Sequence, residues 1–500
     1  MKHFFFILIV ISNITQVLAT DYFVDNLAGG DFNEGSFDQP WKTLKVVNNF
    51  AFNPGDRVFL KRGQIWRESL IISNSGTTDN KIEFGAYGKG SNPQINRTEL
   101  FDDWKLIKSF GEDNTKAKIW QGKVEGIRNY WGAVVNRKRL PQYPQKKMAI
   151  INIKEGYFYS PPDSELFYLR SDTGMPGEIE VGTRKYGVSI KNVNNIVISD
   201  IDVTGPGGGK KQAGRINGLI EIHEGSRNIR IMNLSLTNSD KFGIWSDSST
   251  QNIEYHGITA FKNRSTGIYN NATGGGVIGS SSYDNGLLVS DTGDKGGIGI
   301  QGSELLIKDN NVYNNGHLSF DADYEISIAV ARGPITVKNN YIRDCGQGCF
   351  QIAEGGDGSL FENNVINGFG TSTAKPSSVG KFSGIRIGGG IGGAKNVKIK
   401  GNKVTNGSKI GGYSAISILG FDSSGLEVIK NTLVNNNTDY IFIHRKAVLD
   451  NININENTYF SRRSNKWNYK GKVINTLEQW KKSTGLDLDS EIREPELNIR

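Results

Sequence analysis

The chain has 500 residues, 62 glycines against 12 prolines, and a formal net charge of +8. A glycine-rich, asparagine-rich and proline-poor composition speaks against a helical bundle and suits short strands joined by tight turns, and the even spread of aromatic and β-branched residues excludes disorder. Two cysteines are too few for a disulfide scaffold, and the positive balance favours an acidic partner.

Lys2 and His3 lead an apolar run from Phe4 to Ile11 and a short "VLA" before Thr20, the pattern of a secretory signal peptide cleaved near Ala19. That run is far shorter than the roughly 20 residues needed to span a bilayer, and no later segment supplies a span. An exported, soluble protein is expected, secreted or held in the periplasm or at the cell surface. "PWKTLKVVNNF" then reads as a short amphipathic helix. Residues 97–185 are rich in Trp, Tyr and charge, as in "NYWGAVVNRKRLPQYPQ", and lack the periodicity that follows.

From 195 onwards one phrase recurs: "NIVISDIDVTG", "NIRIMNLSLTN", "NIEYHGITAFKN", "ELLIKDNNVYNN", "PITVKNNYIRD", "SLFENNVING", "NVKIKGNKVTNG", "GLEVIKNTLVNN" and "NININENTYFS". The shortest spacing is about 24 residues, and longer ones hold Gly/Ser-rich inserts such as "GPGGGKKQAG" and "GTSTAKPSSVG". A unit this small cannot bury its own apolar face, so neighbours must stack, and strand alternation without room for a helix predicts a parallel β-helix. Leucine-rich repeats lack support because no recurrent Leu framework is present, and a propeller needs about 40 residues per blade. Asn310, Asn340, Asn364, Asn402, Asn431 and Asn457 recur at one place in successive units, where a tight bend tolerates left-handed Asn and stacked copies form a ladder. Cys345 and Cys349 in "CGQGC" read as two small buried residues before a metal or redox pair, with a local disulfide as the alternative.

The repeat, together with "YFVDNLAGGDFNEGSFDQPWKTLKVVNN", "PGDRVFLKRG" and "FGAYGKG", resembles the exported right-handed β-helix proteins of the pectate-lyase-like superfamily, and "NTLEQWKKSTGLDLDS" resembles a closing segment common in bacterial members. The likeness implies an all-β chain: a single-stranded right-handed parallel β-helix with a capping helix and an antiparallel excursion. The expected organisation is a signal peptide (1–19), an N-terminal cap with the first coils (20–96), the excursion (97–185), the repeats with a substrate groove (186–461) and a C-terminal cap (462–500). That superfamily includes lyases, hydrolases, epimerases and binding proteins, so the likeness does not choose a reaction.

Strand alternation predicts which side chains face outward. With Ile220, Ile222 and Ile244 inward, Glu221, His223, Trp245 and Asp247 point out, followed in later units by Tyr269, Asn271, Gln301, Ser327, Gln351, Arg386, Ser417, Phe442 and His444. A line of Trp, Tyr, Gln, Arg, His and carboxylates suits an extended sugar chain, with aromatic rings for stacking and polar groups for hydroxyls and carboxylates. Exposed strand faces also carry aromatic ladders for stacking alone.

β-Elimination on a uronate needs a base, a group that neutralises the carboxylate and a proton donor to the leaving oxygen. Lys241, His223, Tyr269 and Arg332 are the candidates, with Lys241 the expected base; its alternative role is that of a solvated turn lysine. Substrate contacts are expected from Trp245, Asn271, Gln301, Gln351, Arg386 and His444. Hydrolysis instead needs two carboxylates, roughly 5 Å apart for retention or 6.5–9.5 Å for inversion, for which Glu221 with Asp247, or Asp321, Asp323 and Glu325 in "FDADYE", are candidates. Ca²⁺ is a possible rather than a required cofactor, with oxygen ligands in "SDTGDKGG" and "FDADYE" but no fixed loop spacing. The leading expectation is a monomeric polysaccharide lyase acting on a uronate chain, with alginate ahead by resemblance. A glycoside hydrolase on the same fold is second, and a carbohydrate-binding or adhesion protein third. No basic run with interleaved aromatics points to nucleic acid.

Overall fold

The computed structural model describes residues 19–494, apart from 111–116, 128–129, 131, 137, 141–152, 163, 209–217, 287–295, 317–323, 347, 372–382, 389–392, 409–413, 421–422, 436–437 and 462–465. The expected signal peptide lies almost wholly outside these residues. Among them, no helix is long and apolar enough to cross a membrane.

Three sheets, each of 13 strands among the described residues, run the length of the solenoid, all parallel except for the closing hairpin of one, where Trp467–Tyr469 pairs antiparallel with Lys472–Ile474. We number these faces in chain order. Each coil contributes one strand to face 1, such as Arg227–Met232, one to face 2, such as Ser235–Thr237, and one to face 3, such as Phe242–Ser246. Inward residues of all three faces, Ile229, Ile231, Leu236 and Ile244 in this coil, join one continuous core. A three-residue strand cannot be stable alone, and stacking supplies what it lacks.

The connection from face 1 to face 2 is two residues long from Asp200–Ile201 to Glu456–Asn457. Its first residue is left-handed every time: Asp200, Asn233, Gly257, Gly279, Asp309, Asn339, Asn363, Gly401, Lys430 and Glu456 have φ between 54° and 66°. Its second residue turns inward, and from Asn310 to Asn457 it is always Asn. The expected ladder therefore forms, with a correction. The laddered asparagines are the buried members of the turn, and the left-handed conformation belongs to the residue before each. Asn364 shows the logic: its Nδ2 donates to Val337 O and Asn402 Oδ1, both at 3.0 Å, and its Oδ1 accepts from Asn340 N and Nδ2, both at 2.9 Å. Every polar atom of a buried amide is satisfied by the coils above and below.

Helix α1 (Leu44–Asn49) comes from the expected "PWKTLKVVNNF" and buries Leu44 and Val47 in the N-terminal end of the core. Helix α2 (Leu477–Thr484) packs Leu477 and Trp480 into the other end, where Asp487 accepts hydrogen bonds from Trp480 Nε1 and Tyr459 Oη. The two helices thus cover the apolar ends of the core.

The chain leaves face 2 after Gln94–Asn96 and re-enters the solenoid in face 3 at Val188–Lys191. Between them lie two antiparallel four-stranded sheets with their own aromatic core of Phe101, Trp104, Tyr130, Phe158 and Phe167.

Cys345 and Cys349 are buried but not as free thiols: they form a disulfide with Cα atoms 5.3 Å apart. Here the connection from face 2 to face 3 shrinks to residues 346–347, which brings the two positions within disulfide reach.

Replacing Asn364 by Ala removes four hydrogen bonds and leaves buried partners on two neighbouring coils unsatisfied. We expect a loss of about 2–4 kcal/mol, read as a lowered urea midpoint by circular dichroism. A loss below about 0.5 kcal/mol would show that the ladder adds nothing to stability.

Candidate functional groove

The three faces differ in what flanks them. From Asp200 onwards the turn from face 1 to face 2 keeps its two residues, whereas the corner from face 2 to face 3 carries inserts 205–217, 284–295, 314–323, 370–382 and 408–413. The excursion departs from the same corner. On the far side of face 3, the connections to face 1 grow along the solenoid, from residues 192–193 to 388–397 and 444–452. Face 3 is thus the face bordered on both sides by connections of varying length, where binding groups gather, which makes it the candidate groove floor.

Burial agrees. Glu221, Gln351 and Ser417 point away from the core yet are only 3 %, 7 % and 0 % exposed. On face 2 the outward residues Phe261, Tyr283 and Tyr313 stay partly exposed and stack at 5.2 and 4.9 Å, with Lys262 and Arg343 over the two ends of the ladder. Those ring faces are consumed within the ladder, which makes it a structural device.

Register sorts the expected outward line into separate rows. One row passes through Ser189, Glu221, Trp245, Tyr269, Gly299, Ser327, Gln351, Arg386, Ser417 and Phe442. Two residues further along each strand, His223, Asp247, Asn271, Gln301 and His444 occupy a second row at the edge leading to face 1. The single column is corrected to two rows because a strand wide enough to face a groove presents two outward positions.

At the opposite edge, Phe242 turns outward as well. Its ring stacks on Tyr269 at 4.6 Å and 17°, and the Lys241 ammonium lies 4.5 Å from its centroid. Tyr269 continues the stack over Gly299, where any Cβ would come within 2.7 Å of the tyrosine ring. Lys241, Phe242 and Tyr269 are therefore one cation–aromatic assembly across two coils, with Trp245 half-exposed beside Tyr269 in register.

The four expected catalytic residues do not converge. His223 ends its strand at the far edge, with Nε2 3.4 Å from Ser189 Oγ and Nδ1 3.8 Å from Glu224. Arg332 follows a strand two coils beyond Tyr269, and its exposed guanidinium reaches back to donate to Asn271 Oδ1 at 2.9 Å and to Asn271 O. Lys241 and Tyr269 are brought together; His223 and Arg332 lie across the groove from them.

Glu221 and Asp247 occupy different rows, offset by about two residues or 6.6 Å along the strand as well as by a coil of about 4.8 Å, a backbone separation of about 8 Å that suits inversion rather than retention. Glu221 accepts from Gly218 N at 3.1 Å, and Asp247 accepts from Glu224 N, Ser249 N and Ser249 Oγ in a local turn. Asp321 and Asp323 lie outside the described residues, as does the side chain of Glu325; so do most of the two candidate Ca²⁺ segments. Among the described residues no cluster of three or more His, Cys, Asp or Glu could hold a metal.

Of the expected substrate contacts, Gln301 is half-buried in the second row, and Arg386 donates from Nε to Gly388 O at 3.2 Å. His444 is held below the usual imidazole range by burial and by neighbouring Arg445 and Lys446.

Sequence reading missed a buried charge cluster. Asp240, one residue before Lys241, lies between two arginines: Arg139 of the excursion at 2.6 Å and Arg97, at its root, at 3.2 Å. Their side chains are 3 % and 0 % exposed. Burial pulls both guanidinium pKa values down, and the Asp240 carboxylate works against it. No local signal announces this contact, because Arg97 and Asp240 are 143 residues apart in the chain.

Near the groove's C-terminal end, Asp439 pairs in register with buried Ser414, and burial pushes its carboxyl up to about 6 against the opposing pull of Lys466. A raised folded pKa means the folded state binds the proton more tightly, so this group's contribution is fully present below about pH 4 and lost as pH rises through about 6. Asp439→Asn should therefore stabilise the fold at pH 7.5 by up to about 3 kcal/mol, raising the melting temperature there, and change it little at pH 4. Equal shifts at both pH values, in thermal melts followed by circular dichroism, would contradict this.

Residues 217–382 match the protein-family model described as a right handed beta helix region. No curated protein matches the sequence. Similar solved structures include the complex of XylC with xylose (10% identity over 96% of this chain and 86% of that one, TM-score 0.49). Others are the Azotobacter vinelandii mannuronan C-5 epimerase AlgE6 A-module (12%, 88% and 92%, 0.47) and pectate lyase Pel9A (12%, 95% and 78%, 0.38). The right-handed parallel β-helix expected from the sequence is shown by the family model over residues 217–382 and by the three long stacked sheets.

Proposed function

We propose that this protein is an exported carbohydrate-active enzyme that cuts a uronate-containing polysaccharide by β-elimination in the groove over face 3. The observation that carries the reading is the Lys241–Phe242–Tyr269 assembly beside Trp245, on the face bordered by lengthened connections on both sides. Lys241 takes the proton from the carbon beside the uronate carboxylate, the electron pair forms the new C=C bond as the glycosidic C–O bond breaks, and Tyr269 protonates the leaving oxygen. Trp245 offers a face for ring stacking, and Arg332 with Asn271 offers cationic and amide donors across the groove.

Charge supports an acidic substrate at inserts 205–217 and 370–382, which contain Lys210, Lys211, Arg215, Lys375 and Lys381 and no acidic residue, whereas inserts 284–295 and 314–323 are acidic. Hydrolysis by Glu221 and Asp247 is the second reading, because Glu221 is only 3 % exposed whereas Lys241 and Trp245 are half-exposed. Export is supported by the Cys345–Cys349 bond, which persists in oxidising compartments, and by the apolar run after Lys2. Alginate is the first polymer to test.

Purified protein incubated with alginate, pectate and glycosaminoglycans should generate the ultraviolet absorbance of an unsaturated uronate. Lys241→Ala and Tyr269→Phe should each lower kcat by about 10²–10⁴. New reducing ends without that absorbance would replace elimination by hydrolysis. Binding with neither product would make the groove a recognition surface.

A further inference from the structure

We infer that Asp240 is a positioning residue, and that the excursion 97–185 is a built-in wall of the groove rather than a separate covering domain. The inference rests on the catalytic reading of Lys241 for its activity arm, but its structural arm stands without it.

Three independent contacts fasten the excursion to the corner before face 3. Arg139, on the two-residue strand Lys138–Arg139, sends Nη1 to the carbonyls of Asn238 and Ser239 and Nη2 to Asp240 Oδ1. Arg97, where the excursion departs, donates to Gly205 O from Nε and Nη2 at 3.0 and 2.8 Å, to Lys185 O at 3.0 Å and to Asp240 Oδ2 at 3.2 Å. Third, Gly182 of the excursion lies flat against the solenoid: a Cβ there would come within 2.2 Å of Gly207 O. The "GPGGG" insert thus serves close backbone approach, and Gly207 N adds a further donor to Asp240 Oδ2.

Asp240 accepts from both arginines and from the insert, so it ties the root of the excursion, its body and the solenoid corner together. The next residue is Lys241, whose own backbone is held on both sides, N–H to Ser239 Oγ at 3.3 Å and O to Ser265 N at 2.9 Å. Phe242 follows and stacks on Tyr269. A shared carboxylate between two fully buried guanidinium groups has few alternative arrangements, because any displacement leaves a buried cation unpaired. The clamp therefore sets where the Lys241 ammonium and the Phe242 ring stand at the groove edge, and a displacement of about 1 Å there is enough to lower turnover.

The test uses the full chain and two readouts. Acetic anhydride labelling followed by mass spectrometry reports Lys241 directly, with Lys398 and Lys430 on the first-face side as internal references. Asp240→Ala and Arg139→Met, each confirmed folded by circular dichroism, should change the Lys241 labelling rate about fivefold relative to those references, with Arg139→Lys intermediate. On a turned-over polymer, the same variants should lower kcat about tenfold while KM stays within about twofold. Should Asp240→Ala fail to fold, Asp240→Asn, which keeps the shape and loses the charge, takes its place. Unchanged Lys241 labelling in a folded Asp240 variant would overturn the inference. A wild-type protein inactive on every uronate polymer would instead remove the catalytic reading and leave labelling to decide the clamp.

Discussion

The solenoid depends on one constraint, the two-residue turn between the first and second faces. Its first position is left-handed in every coil from Asp200 to Glu456, and its second is buried against the same position of the next coil. A turn of constant length means that each coil from Asp200 onwards starts its second strand at the same angular position, so inward residues stack on inward residues. From Asn310 to Asn457 the buried amides turn this geometric constraint into a hydrogen-bonded ladder. Even Lys430 and Glu456, poor residues for the left-handed region, adopt it there, which shows the stack overriding local preference.

With one corner invariant, variation is free to collect at another. The corner before face 3 has absorbed everything from the two residues between Cys345 and Gly348 to the whole excursion. The same physical division recurs within the groove. Its floor is set by strand register, and its character comes from groups that the inserts bring or bury. Glu221 and Ser417 illustrate this, since both are outward by alternation and buried by what lies over them.

The candidate site sits where a rigid ladder meets a buried charge cluster. Asp240 needs two arginines from elsewhere in the chain, and those arginines need Asp240, because an isolated guanidinium in that interior is costly. The result is a Lys241 whose position is governed by the excursion as much as by its own coil. An aromatic stack then carries that position to Tyr269 in the next coil.

The period of the repeat, the inward isoleucines and the asparagine ladder were legible in the sequence because each is local and repeats. So was the outward direction of Trp245, Tyr269 and Glu221, since alternation has a period of two. The sequence did not reveal which outward residues meet. Lys241 and Tyr269 come together through Phe242, His223 and Arg332 fall at the opposite edge, and Glu221 and Asp247 are divided between rows by the register of the strands. Nor did it decide for the disulfide it held as an alternative, which depends on how far the corner between Cys345 and Cys349 shrinks, or reveal the contact of Arg97 and Arg139 with Asp240. By itself the sequence determined the coil, because stacking repeats one local rule; only the tertiary structure decided the site, because its contacts join residues more than a hundred positions apart that no periodicity relates.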